Sequence, residues 1–136
     1  MQVNVHLNFA GQCESAFKFY EKYLGGKIVV MMTWGESGMA EQSPPAWHAK
    51  ILHATLALDG CRLTGCDVLP DSYEKPQGFS VFLRIDTPDA TERVFGLLAQ
   101  NGTVRVPLQQ TFWALRFGMV VDQFGTPWLI QCAKAG

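Results

Sequence analysis

The chain has 136 residues, enough for one domain with a sizeable buried core. Its 11 Lys and Arg against 12 Asp and Glu leave a net charge of −1 and no basic stripe, so a nucleic-acid or anionic-membrane partner has no electrostatic footprint. No apolar run approaches the roughly 20 residues that span a bilayer, and MQVNVHLNFAGQ has neither a basic nor an apolar leader region, so the expected compartment is the cytoplasm.

Residues Val3 to Phe9 alternate and are rich in strand formers, so they predict a first strand. GQCESAFKFYEKYLGG then reads as a helix with Ala16, Phe17, Tyr20, Tyr23 and Leu24 on its apolar stripe and Glu14, Lys18, Glu21 and Lys22 toward water. Gly25-Gly26 supplies a left-handed stop, and KIVVMMTW is a second strand. Residues Gly35 to Lys50 form a long loop, either a lid or a disordered excursion. HATLAL and CRLTGC flank Asp59-Gly60, a strong hairpin signal.

The segment DVLPDSYEKPQG has two prolines and no periodicity, so a first module of about residues 1–66 gives way to a linker over about 67–78. The grammar then repeats over about 79–136. FSVFLRID is a strand, Thr87 caps, Pro88 opens a helix striped by Ala90, Val94, Leu97 and Leu98, and Asn101-Gly102 ends it. RFGMVVD and TPWLIQC flank a turn at Gln123 to Gly125, with Asp122 as its cap. A shift of 76 residues places Leu7 on Leu83, Phe9 on Ile85, Phe19 on Phe95 and Gly26 on Gly102, which points to an internal duplication. The expected class is α+β, two tandem βαβββ modules. The cysteines Cys13, Cys61, Cys66 and Cys132 have neither Cys-x-x-Cys nor zinc spacing and read as reduced, apolar side chains.

Two βαβββ units, the helix pattern G-x-C-E-x-A-x-x-F-Y, His53-Ala54 opening a strand, and F-W-A-x-R-F-G-x-V-x-D-x-F-G-x-P-W resemble the vicinal oxygen chelate superfamily. The similarity is to its PhnB-like, 3-demethylubiquinone-9 3-methyltransferase-like group. The resemblance implies that each module curls its sheet into a cup with the helix outside and ligands inside, that copies of the chain pair as a homodimer, and that metal-dependent relatives use a His or Gln on the first strand of each module and a Glu on the fourth. Carried over, those positions fall on Asn4, or on His6 if the register shifts, and on Ser80, Thr64 and Leu129. This is a poor ligand set, so no metal and no other cofactor is expected, with a bound divalent metal left as the alternative.

Alternation turns Asn4, His6 and Asn8 away from the helix side and, with Ala54, Leu56 and Leu58 buried, turns His53 and Thr55 the same way. His6 and His53 are then either satisfied strand histidines or candidate catalytic bases in one cavity. Asp67 is either a turn former or a carboxylate at the cavity mouth. Arg84 and Arg116 are charges in apolar strands, which either line the cup or pair with Asp86 or Glu92. Trp113, near the rim, completes a candidate ligand-binding set of Asn8, Asp67, Arg84, Trp113 and Arg116, with Trp34, Trp47, Phe112 and Met39 as apolar walls.

The functional expectations are capture of a small aromatic or anionic molecule without chemistry, or an isomerase, lyase or dioxygenase type of reaction using a cavity histidine or a bound divalent metal, with a homodimeric scaffold whose cavity is vestigial as a third alternative. Methyl transfer is disfavoured, because no glycine-rich strand-to-helix loop able to cradle a nucleotide-like cofactor is visible.

Overall fold

The computed structural model describes residues 1–134. They divide into two compact units, residues 1–74 and the described residues from 75 onward. The first contains β1 (Val5–Phe9), α1 (Cys13–Leu24), β2 (Lys27–Thr33), β3 (Ile51–Leu58) and β4 (Cys61–Asp67). Its sheet runs in the order β1-β4-β3-β2, with β1 and β4 parallel and the other pairs antiparallel. The second repeats the pattern with β5 (Val81–Arg84), α2 (Pro88–Ala99), β6 (Thr103–Gln109), β7 (Ala114–Val121) and β8 (Pro127–Ala133), in the order β5-β8-β7-β6.

Each helix covers one face of its own sheet, as the 3.6-residue stripe requires. In the first unit Cys13, Ala16, Phe17 and Tyr20 are buried against Leu7, Phe9, Ala54, Leu56 and Leu63, while Tyr23 and Leu24 are only partly covered. In the second, Thr91, Val94, Phe95 and Leu98 face Val120, Trp128, Ile130 and Cys132. The helix stops and starts follow the sequence signals. Gly25 is left-handed at φ 82°, and the Thr87 hydroxyl accepts from the Ala90 amide at 3.2 Å. The hairpin glycines Gly60 and Gly125 both have positive φ.

The duplication extends to strand register. His6 lies opposite Thr64, and Phe82, 76 residues beyond His6, lies opposite Leu129, 65 residues beyond Thr64. Asn4 and Ser80 precede β1 and β5, so the alternation that places His6 in the sheet is the one the chain adopts.

The loop between β2 and β3 is an ordered excursion. Trp34 and Gly35 amides bond to the Lys50 and His48 carbonyls, extending the hairpin, and His48 Nε2 lies 2.8 Å from the Ala40 carbonyl. Lys50 Nζ donates to the Gly11 carbonyl, and Trp47 packs near Gly11, so the loop is tied to the β1–α1 turn.

Candidate functional site

Strand alternation leaves the face of each sheet opposite its helix without a local cover. On the first sheet this open face carries two polar rows. In one, His6 of β1, Thr64 of β4 and Thr55 of β3 stand side by side. In the next, Asn8 stands opposite Cys66, and His53 lies two residues before Thr55 along β3.

Hydrogen bonds fix how His6 is presented. Its Nδ1 is 2.7 Å from Thr64 Oγ1, and the Thr64 hydroxyl donates to the Val5 carbonyl at 3.4 Å. With its hydrogen given to Val5, the Thr64 oxygen accepts from Nδ1–H and leaves Nε2 as the basic nitrogen. Nε2 points along the sheet to Cys66 Sγ at 3.4 Å, and Cys66 in turn reaches Asn8 Oδ1 at 3.5 Å. Burial, with the neighbouring His53 second, holds the His6 pKa below its ordinary value of 6.5, against a smaller opposing hydrogen bond that the protonated ring donates to Asn8. Burial and then Asp67 push the Cys66 thiol upward, so it stays protonated at neutral pH. The face therefore presents a neutral, oriented imidazole beside a thiol, an amide and two threonines.

A lowered His6 pKa makes folding pH-dependent. The unfolded chain protonates His6 first as pH falls through about 6.5, so the folded state loses stability there, while His6 adds no pH dependence above that range. His6→Gln is expected to flatten the fall in Tm between about pH 7 and about pH 5, and equal falls in both proteins would refute the assignment.

The six equivalent positions of the second sheet are Phe82, Arg84, Phe117, Met119, Leu129 and Gln131. Where the first open face is polar, the second is apolar except at Arg84 and Gln131. Phe82 is 55% exposed and Trp113 46%, and Trp113 stacks edge-on with Phe117 at 5.3 Å and with Phe112 at 4.8 Å. Thus Arg84 and Trp113 stand with the open face of the second unit, while His6, Asn8 and His53 share that of the first.

Three of the sequence expectations are corrected. Asp67 does not sit at a cavity mouth: it is 1% exposed, and its Oδ1 accepts from the Gly11 and Cys13 amides while Oδ2 accepts from the Ile51 amide. Since Gln12 offers no side-chain cap, Asp67 reaches across from β4 to cap α1. Arg116 does not line an open face either. It lies opposite buried Cys132 on the helix-covered side and pairs with Glu92 of α2 at 3.1 Å, while its Nη1 donates to the Leu115 carbonyl. Trp34, offered as a cavity wall, instead donates its indole N–H to the Asp67 carbonyl.

The sequence alone presents Thr64 as a weak metal position and Cys66 as an apolar side chain, whereas the structure brings both beside His6. Their two-residue spacing in CRLTGC, in phase with His6 and Asn8 once the parallel pairing is known, is the signal that connects them.

The donors suit a metal poorly. Phe82 and Leu129 replace the His6 and Thr64 positions in the second sheet and have no ligating atom. Among the described residues, no three His, Cys, Asp or Glu side chains are grouped to hold a metal ion.

Comparison with known proteins agrees with this architecture. Protein YjdN of Escherichia coli K12 is 32% identical over 142 residues, covering 98% of this chain and 97% of its own. The crystal structure of protein PA1353 from Pseudomonas aeruginosa is 38% identical, with 99% of each chain covered and a TM-score of 0.90. A PhnB protein from Bacillus cereus, 24% identical over 98% of this chain and all of its own, superposes with a TM-score of 0.82. The fold extends to glyoxalase/bleomycin resistance/dioxygenase proteins at 12% and 11% identity, with TM-scores of 0.63 and 0.64. With a family model spanning residues 1–131 laid over the two βαβββ units described above, the chain belongs to the 3-demethylubiquinone-9 3-methyltransferase family and has the glyoxalase/bleomycin resistance fold.

Proposed function

We propose that the chain binds a small molecule on the open face of its first sheet, through a hydroxyl or similar donor that meets His6 Nε2. The observation that carries this reading is the contrast between equivalent positions. His6, Asn8, His53, Thr55, Thr64 and Cys66 stand where the duplicated sheet has mainly apolar residues, so packing of the fold does not demand them. A polar cluster spared from the core and held by its own hydrogen bonds suits recognition. A phenol fits the chemistry, since its ring packs on the strands while its O–H donates to the neutral imidazole.

The test is a titration of isotope-labelled protein with phenol and catechol, followed by amide NMR. Shifts are expected at His6, Asn8, Thr64 and Cys66, and His6→Ala should weaken binding on the order of tenfold, the scale of one hydrogen bond. Shifts confined to other residues, or unchanged affinity in a normally folded His6→Ala protein, would refute the site.

A second reading is favoured by the orientation of His6. An imidazole whose Nδ1–H is engaged and whose Nε2 meets only the weakly bonding Cys66 sulfur has the arrangement of a general base acting on the bound molecule. In that case His6→Gln removes turnover while leaving most of the affinity. Methyl transfer through a nucleotide-like methyl donor fits less well. The turn into α1 has its Gly11 amide committed to Asp67, and the turn into α2 runs Asp86-Thr87-Pro88 without a glycine.

A further inference from the structure

The second unit holds a cavity of about 520 Å³, walled by residues 75–80, Arg105, residues 119–121 and residues 127–129. Its volume lies within the roughly 300–1,000 Å³ common for small-molecule sites. Met119 and Leu129, opposite one another in the β7–β8 ladder, supply its apolar part. Lys75 and Arg105 supply two positive charges, and no Asp or Glu belongs to the wall. Among the described residues, neither cation has an ion-pair partner, the two pairs present being Lys18–Glu14 and Arg116–Glu92.

Arg105 reaches this cavity through a defect in the ladder. Val104 pairs with Val120 and Val106 with Met119, so Arg105 is the extra residue of a β-bulge. A bulge re-aims the side chain it carries. The first unit has the same bulge, since Ile28 pairs with Leu56 and Val30 with Thr55, leaving Val29 as the extra residue. The backbone irregularity is therefore common to the duplicated fold, whereas the cation is particular to the second copy. Ser80, just before β5, adds a hydroxyl to the same wall.

We propose that this cavity binds a small organic monoanion, an aromatic or short-chain carboxylate whose apolar body lies on Met119 and Leu129 and whose charge meets Arg105 and Lys75. The guanidinium offers paired N–H donors to a carboxylate, and the ammonium adds a point charge. The site lies on a different unit from the β1, β3 and β4 face and does not depend on it.

The experiment uses the full chain with naphthalene-1-carboxylate as probe and uncharged naphthalene-1-methanol as its counterpart, followed by amide NMR and calorimetry. The carboxylate is expected to bind at least roughly tenfold more tightly than the alcohol, to shift Arg105, Met119 and Leu129, and to weaken as salt rises. Arg105→Val, which installs the residue of the equivalent bulge, and Lys75→Gln should each reduce carboxylate affinity severalfold and leave the alcohol unchanged. Lys75 is exposed and precedes β5, so Lys75→Gln remains a decisive test even if Arg105→Val disturbs the bulge. Equal affinities for the two probes, carboxylate binding indifferent to Lys75→Gln, or shifts centred on His6 and Thr64 instead would overturn the proposal.

Discussion

Asp67→Ala is expected to lower unfolding stability by roughly 3–5 kcal/mol, measured by urea denaturation. The substitution removes acceptors from the Gly11, Cys13 and Ile51 amides in a buried setting. Each orphaned buried donor costs about 1–3 kcal/mol, and α1 also loses the negative group at its N-terminus. Water entering the space left by the carboxylate will recover part of that sum. Asp67→Asn, which keeps one carbonyl oxygen, should fall between Ala and the native protein. A loss below about 1 kcal/mol for Asp67→Ala would show that the three bonds do not hold the turn and helix together. Ligand affinity is not the discriminating readout, because Asp67 is away from the open face.

The second large effect concerns Phe17 and Gly65. Phe17 is fully buried and packs edge-on with Phe9 at 6.2 Å. A Cβ on Gly65 would come within 2.7 Å of its ring and 3.1 Å of the Leu7 carbonyl oxygen. Phe17→Ala is expected to cost about 3–5 kcal/mol through lost burial and a residual cavity. Gly65→Ala is expected to cost about 1–3 kcal/mol, since the ring and the β1 backbone cannot both stay in place. The two are coupled, so in a Phe17→Leu background, where a smaller side chain leaves room, Gly65→Ala should cost less. Strict additivity in that double-mutant cycle would place the clash elsewhere.

Most of the fold was legible because its signals are local. Helix stripes, the Thr87-Pro88 start, the Gly25 stop and the two hairpin glycines depend on residues within a turn or two of each other. The candidate site was half legible for the same reason. Alternation correctly turned His6, Asn8 and His53 away from α1, since neighbouring strand residues must face opposite ways. It could not say that Cys66 belongs with them, because that depends on the parallel pairing of strands some sixty residues apart.

The amino-acid sequence by itself determined two βαβββ modules, their duplication and the polar phase of the first strand, all set by short-range periodicity and by turn residues with special backbone needs. Only the tertiary structure decided the roles of the charged residues. Asp67 was committed to backbone amides 56, 54 and 16 residues away, and Arg116 to Glu92, 24 residues away on a helix. Arg105 was re-aimed by a bulge that no alternation count reveals. The physical reason is that a charge takes its meaning from what neutralises or solvates it, and those partners are brought near by long-range pairing and packing.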